Sequence, residues 1–137
     1  MAKSKPTDGE YQAAAQLRLA LRRFLRRSEQ VARAHGLTPQ RYQLLLLIKA
    51  TEGKATVGSL CRSLQLGQSN VTQLVRRAED LGLVRRELAT EDARVRYLSL
   101  TTEGERRLAA AVAELSEDRA ALVAELAEVG SGRAFDI

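Results

Sequence analysis

Five short hydrogen-bonding side chains cluster just after Gly67, in the stretch GQSNVTQLVRRAEDLG. They are Gln68, Ser69, Asn70, Thr72 and Gln73. The amides of Gln and Asn can bind adenine through two hydrogen bonds, and hydroxyl groups can contact any base pair. Further along the same segment, Arg76 and Arg77 could bind phosphates, which adds affinity but little sequence choice. In the alternative interpretation, Ser69 and Asn70 only cap a helix and the other side chains are solvated surface.

Residues that could support enzymatic chemistry are scarce. The chain has one histidine, His35, and one cysteine, Cys61, which are too few for a nucleophilic triad or a cysteine–histidine metal site. No glycine-rich phosphate loop follows a strand pattern, and the carboxylates of Glu117 and Asp118 fall on a predicted solvent face. We therefore expect no enzymatic activity, no cofactor and no metal. For Cys61, packing in a short helix is expected rather than redox sensing.

Charge is distributed unevenly along the 137 residues. Residues 1–77 carry 14 Lys and Arg against 4 Asp and Glu, whereas residues 78–137 carry 8 against 13. This asymmetry favours a polyanionic partner for one face, although basic surfaces are common. The N-terminal sequence MAKSKPTDGE is polar, and no apolar segment long enough for secretion or membrane spanning follows it. With a single cysteine, the chain is expected to be cytoplasmic.

Hydrophobic spacing and capping residues predict the order of the elements. Threonines suited to capping precede three predicted helices, at Thr38, Thr56 and Thr101 or Thr102. Gly82 suits the end of a helix over 68–81, and alternation around the polar tip ATEDA predicts two antiparallel strands within 83–100. The predicted organisation is a disordered tail at 1–9, a helix at 10–36, a DNA-binding domain at 37–100, a long helix at 101–130 and a flexible tail at 131–137.

Apolar side chains recur about every 3.5 residues in the first and last predicted helices, a spacing typical of helices that pack along other helices. These helices could pack on a second copy of the chain or within one chain. For a homodimer, the predicted interface residues are Leu17, Leu21, Phe24, Leu108, Val112, Leu115, Leu122 and Leu126. The first helix also carries six arginines against Glu29, which are expected to form a solvated face or to contact phosphate.

A short helix, a tight turn, a second helix and a hairpin together form a winged helix-turn-helix. Residues 37–104 closely resemble the multiple-antibiotic-resistance regulator (MarR) family, and residues 10–35 resemble it loosely. The most specific part is the order of GLVRR, the segment Asp92 to Arg94 and LSLTTEG. The resemblance implies a mainly α-helical fold, in which a winged helix-turn-helix domain is flanked by long N- and C-terminal helices that form a dimer platform.

The resemblance also implies roles for residues. The helix over 68–81 would lie in the major groove, as the second helix of a helix-turn-helix does. Arg94 would reach the minor groove, which attracts arginine when it is narrow, and Asp92 would orient Arg94 or a neighbouring residue. In the alternative, Arg94 is an exposed arginine paired with Asp92. Family members bind ligands between the platform and the DNA-binding module, so arginines of the first helix could hold an anionic effector.

The expected function is that of a sequence-specific regulator of transcription that binds double-stranded DNA. It would bind a pseudo-palindromic operator as a homodimer, act as a repressor and be released by a small-molecule effector. The alternatives are a non-specific or architectural DNA-binding protein and a winged-helix module for protein contacts. The family usually has another helix after the long one, whereas GSGRAFDI follows here, so a smaller or differently crossed dimer is expected.

Overall fold

The computed structural model describes residues 4–89, 91–92 and 94–131. Within these ranges the chain forms six helices and one β-hairpin. In chain order the elements are α1 (Asp8–Ala34), α2 (Pro39–Ala50), α3 (Val57–Leu64), α4 (Gln68–Asp80), β1 (Val84–Leu88), β2 (Arg96–Leu100), α5 (Thr102–Glu114) and α6 (Ser116–Glu128). The fold is mainly helical with a small two-stranded sheet, which confirms the predicted fold class. Parts of both predicted tails, residues 1–3 and 132–137, lie outside the described residues.

Side-chain caps define where the helices begin. In three helices a threonine hydroxyl accepts a hydrogen bond from the backbone amide three residues further on, as the sequence predicts. These threonines are Thr38, Thr56 and Thr101. Helix α1 begins at Asp8, inside the predicted tail, because Thr7 and Glu10 form a capping box that satisfies amides at its N-terminus.

Helix α2 lies at the centre of the fold, as its apolar sequence predicts. It packs against α1, α3, α4, α5 and β2, and its side chains Leu44, Leu45 and Ile48 are at most 2% exposed. Burying a side chain of this size contributes about 1.5–3 kcal/mol. Helix α4 contributes Val71 and Val75 to the same core. One face of α4 therefore packs in the core, and the opposite face is the one that a binding partner could contact.

The β-hairpin is held to the helical core at two places. Its strands are antiparallel, with Val84 opposite Leu100 at the base, and both of these side chains are buried. Leu98 also forms a bridge to Ala55, in the segment between α2 and α3, and the Leu98 amide donates to the Ala55 carbonyl at 2.8 Å. The base of the hairpin is thus hydrogen-bonded to the start of the helix-turn-helix.

A close backbone contact joins the hairpin to α5. The Thr101 amide donates to the Leu83 carbonyl at 3.0 Å, and its hydroxyl donates to the Gly82 carbonyl at 2.6 Å. One turn into α5, a Cβ atom at Gly104 would lie 2.2 Å from the Leu83 carbonyl oxygen. Because only glycine lacks this atom, Gly104 permits the close approach of α5 to the hairpin.

The prediction of one long C-terminal helix over 101–130 is wrong. Leu115 leaves the helical conformation (φ −88°, ψ 3°) and separates α5 from α6. The guanidinium of Arg119 donates to the Val112 carbonyl at 3.4 Å, so it partly satisfies a carbonyl group at the break. Helix α6 lies within the predicted range 101–130, and the expectation that no further helix follows residue 130 concerns a segment that lies largely outside the described residues.

The break allows α6 to pack along α1 within one chain. Two ion pairs join these helices: Arg23 pairs with Glu125, and Arg27 Nε lies 3.7 Å from Asp118 Oδ2. Both pairs are largely exposed, so each contributes about 0–1 kcal/mol. Two of the arginines that the sequence assigned to a solvated or phosphate-binding face are thus paired within the chain.

Candidate nucleic-acid interface

The exposed face of α4 carries the hydrogen-bonding side chains that the sequence singled out. Val71, Val75 and Ala78 are fully buried, which turns the opposite side of the helix outward because residues repeat every 3.6 positions. That side forms a shallow surface depression. Its lining residues are Gln68, Ser69, Thr72, Gln73 and Arg76. Of these, only Thr72 is partly covered.

The side chains at the start of α4 are not used to cap the helix. The N-cap residue is Gly67, and no side-chain hydrogen bond caps this end. Ser69 and Asn70 are both exposed and lie inside the helix rather than at its cap position. The interpretation of Ser69 and Asn70 as capping residues is therefore wrong, and their polar groups remain available to a partner at this surface.

Asn70 and Arg77 lie beside the depression rather than in it. At about 100° per residue, they fall on the flank of α4 next to Gln73, and both are exposed. Among the described residues, neither Arg76 nor Arg77 makes an ion pair with an acidic side chain. The α4 surface therefore has a polar centre and two unneutralised cations, which suits base edges flanked by phosphates.

At the tip of the hairpin, Asp92 holds Arg94. The Arg94 amide donates to Asp92 Oδ1 at 2.9 Å, and the guanidinium donates to the same carboxylate at 3.3 and 3.4 Å. Hydrogen bonds from the backbone amide and then from the side chain of Arg94 lower the pKa of Asp92 below its usual range. The Arg94 side chain is still 92% exposed. Arg94 can therefore pair with Asp92 and still be accessible to a binding partner.

A second ion pair, which was not predicted from the sequence, connects the hairpin with α4. Arg86 Nε of β1 lies 3.0 Å from Glu79 Oε1 of α4. Arg86 belongs to the GLVRR motif, but its partner lies in the preceding helix, and the sequence carries no signal for this pairing. Another hairpin pair, Arg85 with Glu87, is formed within β1.

Two of the predicted dimer residues are in the interior of one chain. Leu108 is 3% exposed and Leu115 is 0% exposed, so their assignment to a dimer interface is wrong: the stripe of α5 covers the core of its own chain. Four others are partly buried, namely Phe24, Val112, Leu122 and Leu126. Leu17 and Leu21 are exposed, together with Leu25, which the sequence did not single out.

An apolar and basic surface runs along α1. It is formed by the exposed leucines and the arginines next to them on the helix, together with Ala14, Glu29 and Gln30. The arginines of this surface are Arg18, Arg22, Arg26 and Arg33. Within the described ranges, none of these four makes an ion pair. This surface, referred to below as the α1 face, is open rather than an enclosed pocket.

Cys61 and His35 have structural surroundings. Cys61 is half-buried and packs against the main core. His35 ends α1, with Nε2 3.6 Å from Glu114 Oε1 of α5. No group of three or more His, Cys, Asp and Glu side chains that could hold a metal ion occurs among the described residues. None of the helices in this part of the chain is long and apolar enough to cross a membrane.

Comparisons with known proteins agree with this geometry. Residues 35–95 match the model of the MarR family. This segment is a MarR-family domain. The MarR family consists of non-enzymatic DNA-binding transcription regulators, in agreement with the expectation that the chain is not an enzyme.

Solved structures of MarR regulators are similar over most of the chain. The transcription regulator SP03579 is 28% identical, with a TM-score of 0.65, over 93% of this chain and 79% of that one. AbsC from Streptomyces coelicolor is 24% identical, with a TM-score of 0.66, over 88% and 80%. A point mutant of MepR from S. aureus, bound to an oligodeoxyribonucleotide, is 21% identical, with a TM-score of 0.65, over 81% of both chains. No match was found among curated proteins.

Proposed function

We propose that this chain is a sequence-specific regulator of transcription that reads double-stranded DNA with α4 and the hairpin wing. The observation that carries the proposal is the exposed face of α4. There, side-chain amides and hydroxyls that do not cap the helix lie beside Arg76 and Arg77, which make no ion pair among the described residues. The major groove is about 12 Å wide and admits an α-helix. Gln68, Thr72 and Gln73 are therefore assigned to base edges, and Arg76 and Arg77 to phosphates.

The wing is assigned to the adjacent minor groove. Arg94 is exposed at its tip, and narrow minor grooves of A·T-rich DNA attract arginine through their negative potential. Asp92 binds the backbone amide of Arg94 as well as its guanidinium. When the guanidinium moves to DNA, the hydrogen bond from the Arg94 backbone amide to Asp92 can therefore still hold the shape of the tip.

A homodimer follows from the size of one module, because a single module contacts too little DNA for tight specific binding. Two-fold dimers read half-sites about one helical turn apart, which gives a pseudo-palindromic operator. We assign the dimer contact to the α1 face, whose leucines Leu17, Leu21 and Leu25 are 39–57% exposed. The partner surface in the other copy would be α6, which exposes Val123 and, at its first turn, acidic Glu117.

Repression and release by a small molecule are part of the proposal on the strength of the family likeness. Bound near a promoter, such a dimer would block transcription. An anionic effector would bind the cations Arg18, Arg22 and Arg26 of the α1 face and so compete with α6 of the other copy, which would weaken the dimer. A screen for effectors would measure the loss of DNA binding, and its probe would be the duplex obtained in the selection experiment described next.

The test is the selection of bound fragments from random duplex DNA at about 150 mM salt, where specific and non-specific binding separate. A two-fold motif with half-sites about ten base pairs apart is expected. Enrichment of base composition without a motif would indicate an architectural protein that binds through its arginines. No enrichment by folded protein would indicate that the winged fold serves protein contacts instead.

A variant tests which residues read sequence. Gln73→Ala should weaken binding to the selected duplex by about 1–3 kcal/mol, the value of a bidentate base contact, and leave binding to random duplex unchanged. Arg77→Ala should weaken binding to both and lower the salt slope by about one. Gln12→Ala, in α1 but outside the α1 face, is the control for loss of an exposed helical glutamine. Equal loss on all sequences for Gln73→Ala would contradict its assignment to base edges.

A further inference from the structure

The ion pair between Glu79 and Arg86 connects the two elements that would contact DNA. Glu79 lies in the last turn of α4, and Arg86 lies in the middle of β1. Their side chains are 29% and 33% exposed, and Nε of Arg86 donates to Oε1 of Glu79 at 3.0 Å. Because solvent covers only about a third of either group, screening weakens this pair less than it weakens a fully exposed one.

The register of the hairpin places Arg86 on its inner face. Arg86 is opposite Leu98, just as Val84 is opposite Leu100, and side chains of opposite residues share a face of the sheet. Val84, Leu98 and Leu100 are buried. Arg86 lies further out on this face and is itself exposed, and there its guanidinium reaches the carboxylate of Glu79 in α4.

We propose that the Glu79–Arg86 pair is a positioning contact that fixes the wing against the reading helix. It sets the distance between the α4 face and Arg94, and therefore the match to a major groove and its neighbouring minor groove. The inference rests on the proposed function, since it matters only if both elements bind the same duplex. Neither residue needs to touch DNA, and their effect on affinity comes from preorganisation, which lowers the entropy lost on binding.

The chain provides a matched control in the same strand. Arg85 Nε and Glu87 Oε1 are also 3.0 Å apart, but both residues belong to β1 and are 62% and 55% exposed. They lie on the outer face, opposite Ser99 and Tyr97. Glu79→Gln and Glu87→Gln change the net charge equally, so general attraction to DNA changes equally, but only Glu79→Gln disconnects the wing from α4.

The experiment compares binding of these variants to the duplex selected by the wild-type protein. Glu79→Gln is expected to bind about twofold to fivefold more weakly than wild type, the range that corresponds to one partly exposed ion pair. Glu87→Gln is expected to bind as tightly as wild type or slightly more tightly. The melting temperatures of both variants are measured alongside, to show that each is folded at the temperature of the binding assay.

A double-mutant cycle separates positioning from a general structural effect. In an Arg94→Ala background the wing has lost its contact, so Glu79→Gln should cause no further loss. A merely structural role would give the same loss with and without Arg94, and that result would overturn the proposal.

The two proposals fail in different ways. If the wild-type protein binds its selected duplex and Glu79→Gln binds it as well as Glu87→Gln does, the positioning role is refuted and the proposed function stands. If the wild-type protein selects no duplex, the proposed function is refuted, and the positioning role is refuted with it.

Discussion

Replacing Gly104 with alanine tests how tightly α5 is joined to the wing. The added Cβ would lie 2.2 Å from the Leu83 carbonyl oxygen and 3.1 Å from its carbon, well inside the roughly 3.5 Å of an optimal non-bonded contact. Overpacking of this kind costs about 1–3 kcal/mol, and displacing α5 would weaken the Thr101 cap, worth about 1 kcal/mol. The higher helix propensity of alanine offsets at most about 1 kcal/mol of this loss of stability.

We therefore expect Gly104→Ala to lower the free energy of unfolding by about 2 kcal/mol, and the melting temperature by roughly 6–10 °C. The measurement is urea unfolding followed by far-UV circular dichroism. Gly58→Ala is the control, because Gly58 also lies in the first turn of a helix but its Cβ would meet only side-chain atoms at 3.7 Å or more. It should be neutral or slightly stabilising. Equal stability of the two variants would show that α5 can move away from Leu83 at little cost.

Two further predictions concern the platform helices. Leu25→Asp, on the α1 face, should shift the protein towards monomers in sedimentation analysis. Leu88→Asp is the control and should cause no shift, since Leu88 lies in the wing and is 53% exposed, similar to Leu25 at 57%. An unchanged assembly in both variants would place the dimer contact elsewhere. Hydrogen bonds from Arg106 and Arg107 lower the pKa of Glu103 from 4.5 to about 2, so these bonds stabilise the fold above pH 4.5 and are lost as pH falls towards 2. The melting-temperature difference between wild type and Glu103→Gln should vanish over that range; a constant difference would refute the pairing.

Local signals in the sequence were sufficient for most of the elements. Thr38 and Thr56 cap helices because a short hydroxyl satisfies the free amides of the first turn, wherever that helix lies in the fold. Gly82 ends its segment because it adopts a positive φ of 73°, which other residues adopt at a cost. The outward side chains of α4 were predictable for a similar reason, since three buried residues at helical spacing define the opposite face.

The burial of α5 and the break at Leu115 could not be predicted from spacing. The apolar spacing continues through Leu115, and such a stripe shows which side of a helix is apolar without showing what covers it. Leu108 and Leu115 are covered by their own chain, whereas Leu21 is not. The Glu79–Arg86 pair was missed because it is non-local: a charge in a helix and a charge in a strand give no common pattern.

The bridge between Ala55 and Leu98 has a consequence for folding. It joins the two ends of the segment that holds α3 and α4, so α4 lies inside a loop that is closed by a contact between residues far apart in the chain. Forming such a non-local contact is slow relative to forming the helices themselves, and it makes the helix-turn-helix and the wing one cooperative unit rather than two. The amide of Leu98 should then exchange its hydrogen only when the whole domain opens, on the same timescale as the amides of α2.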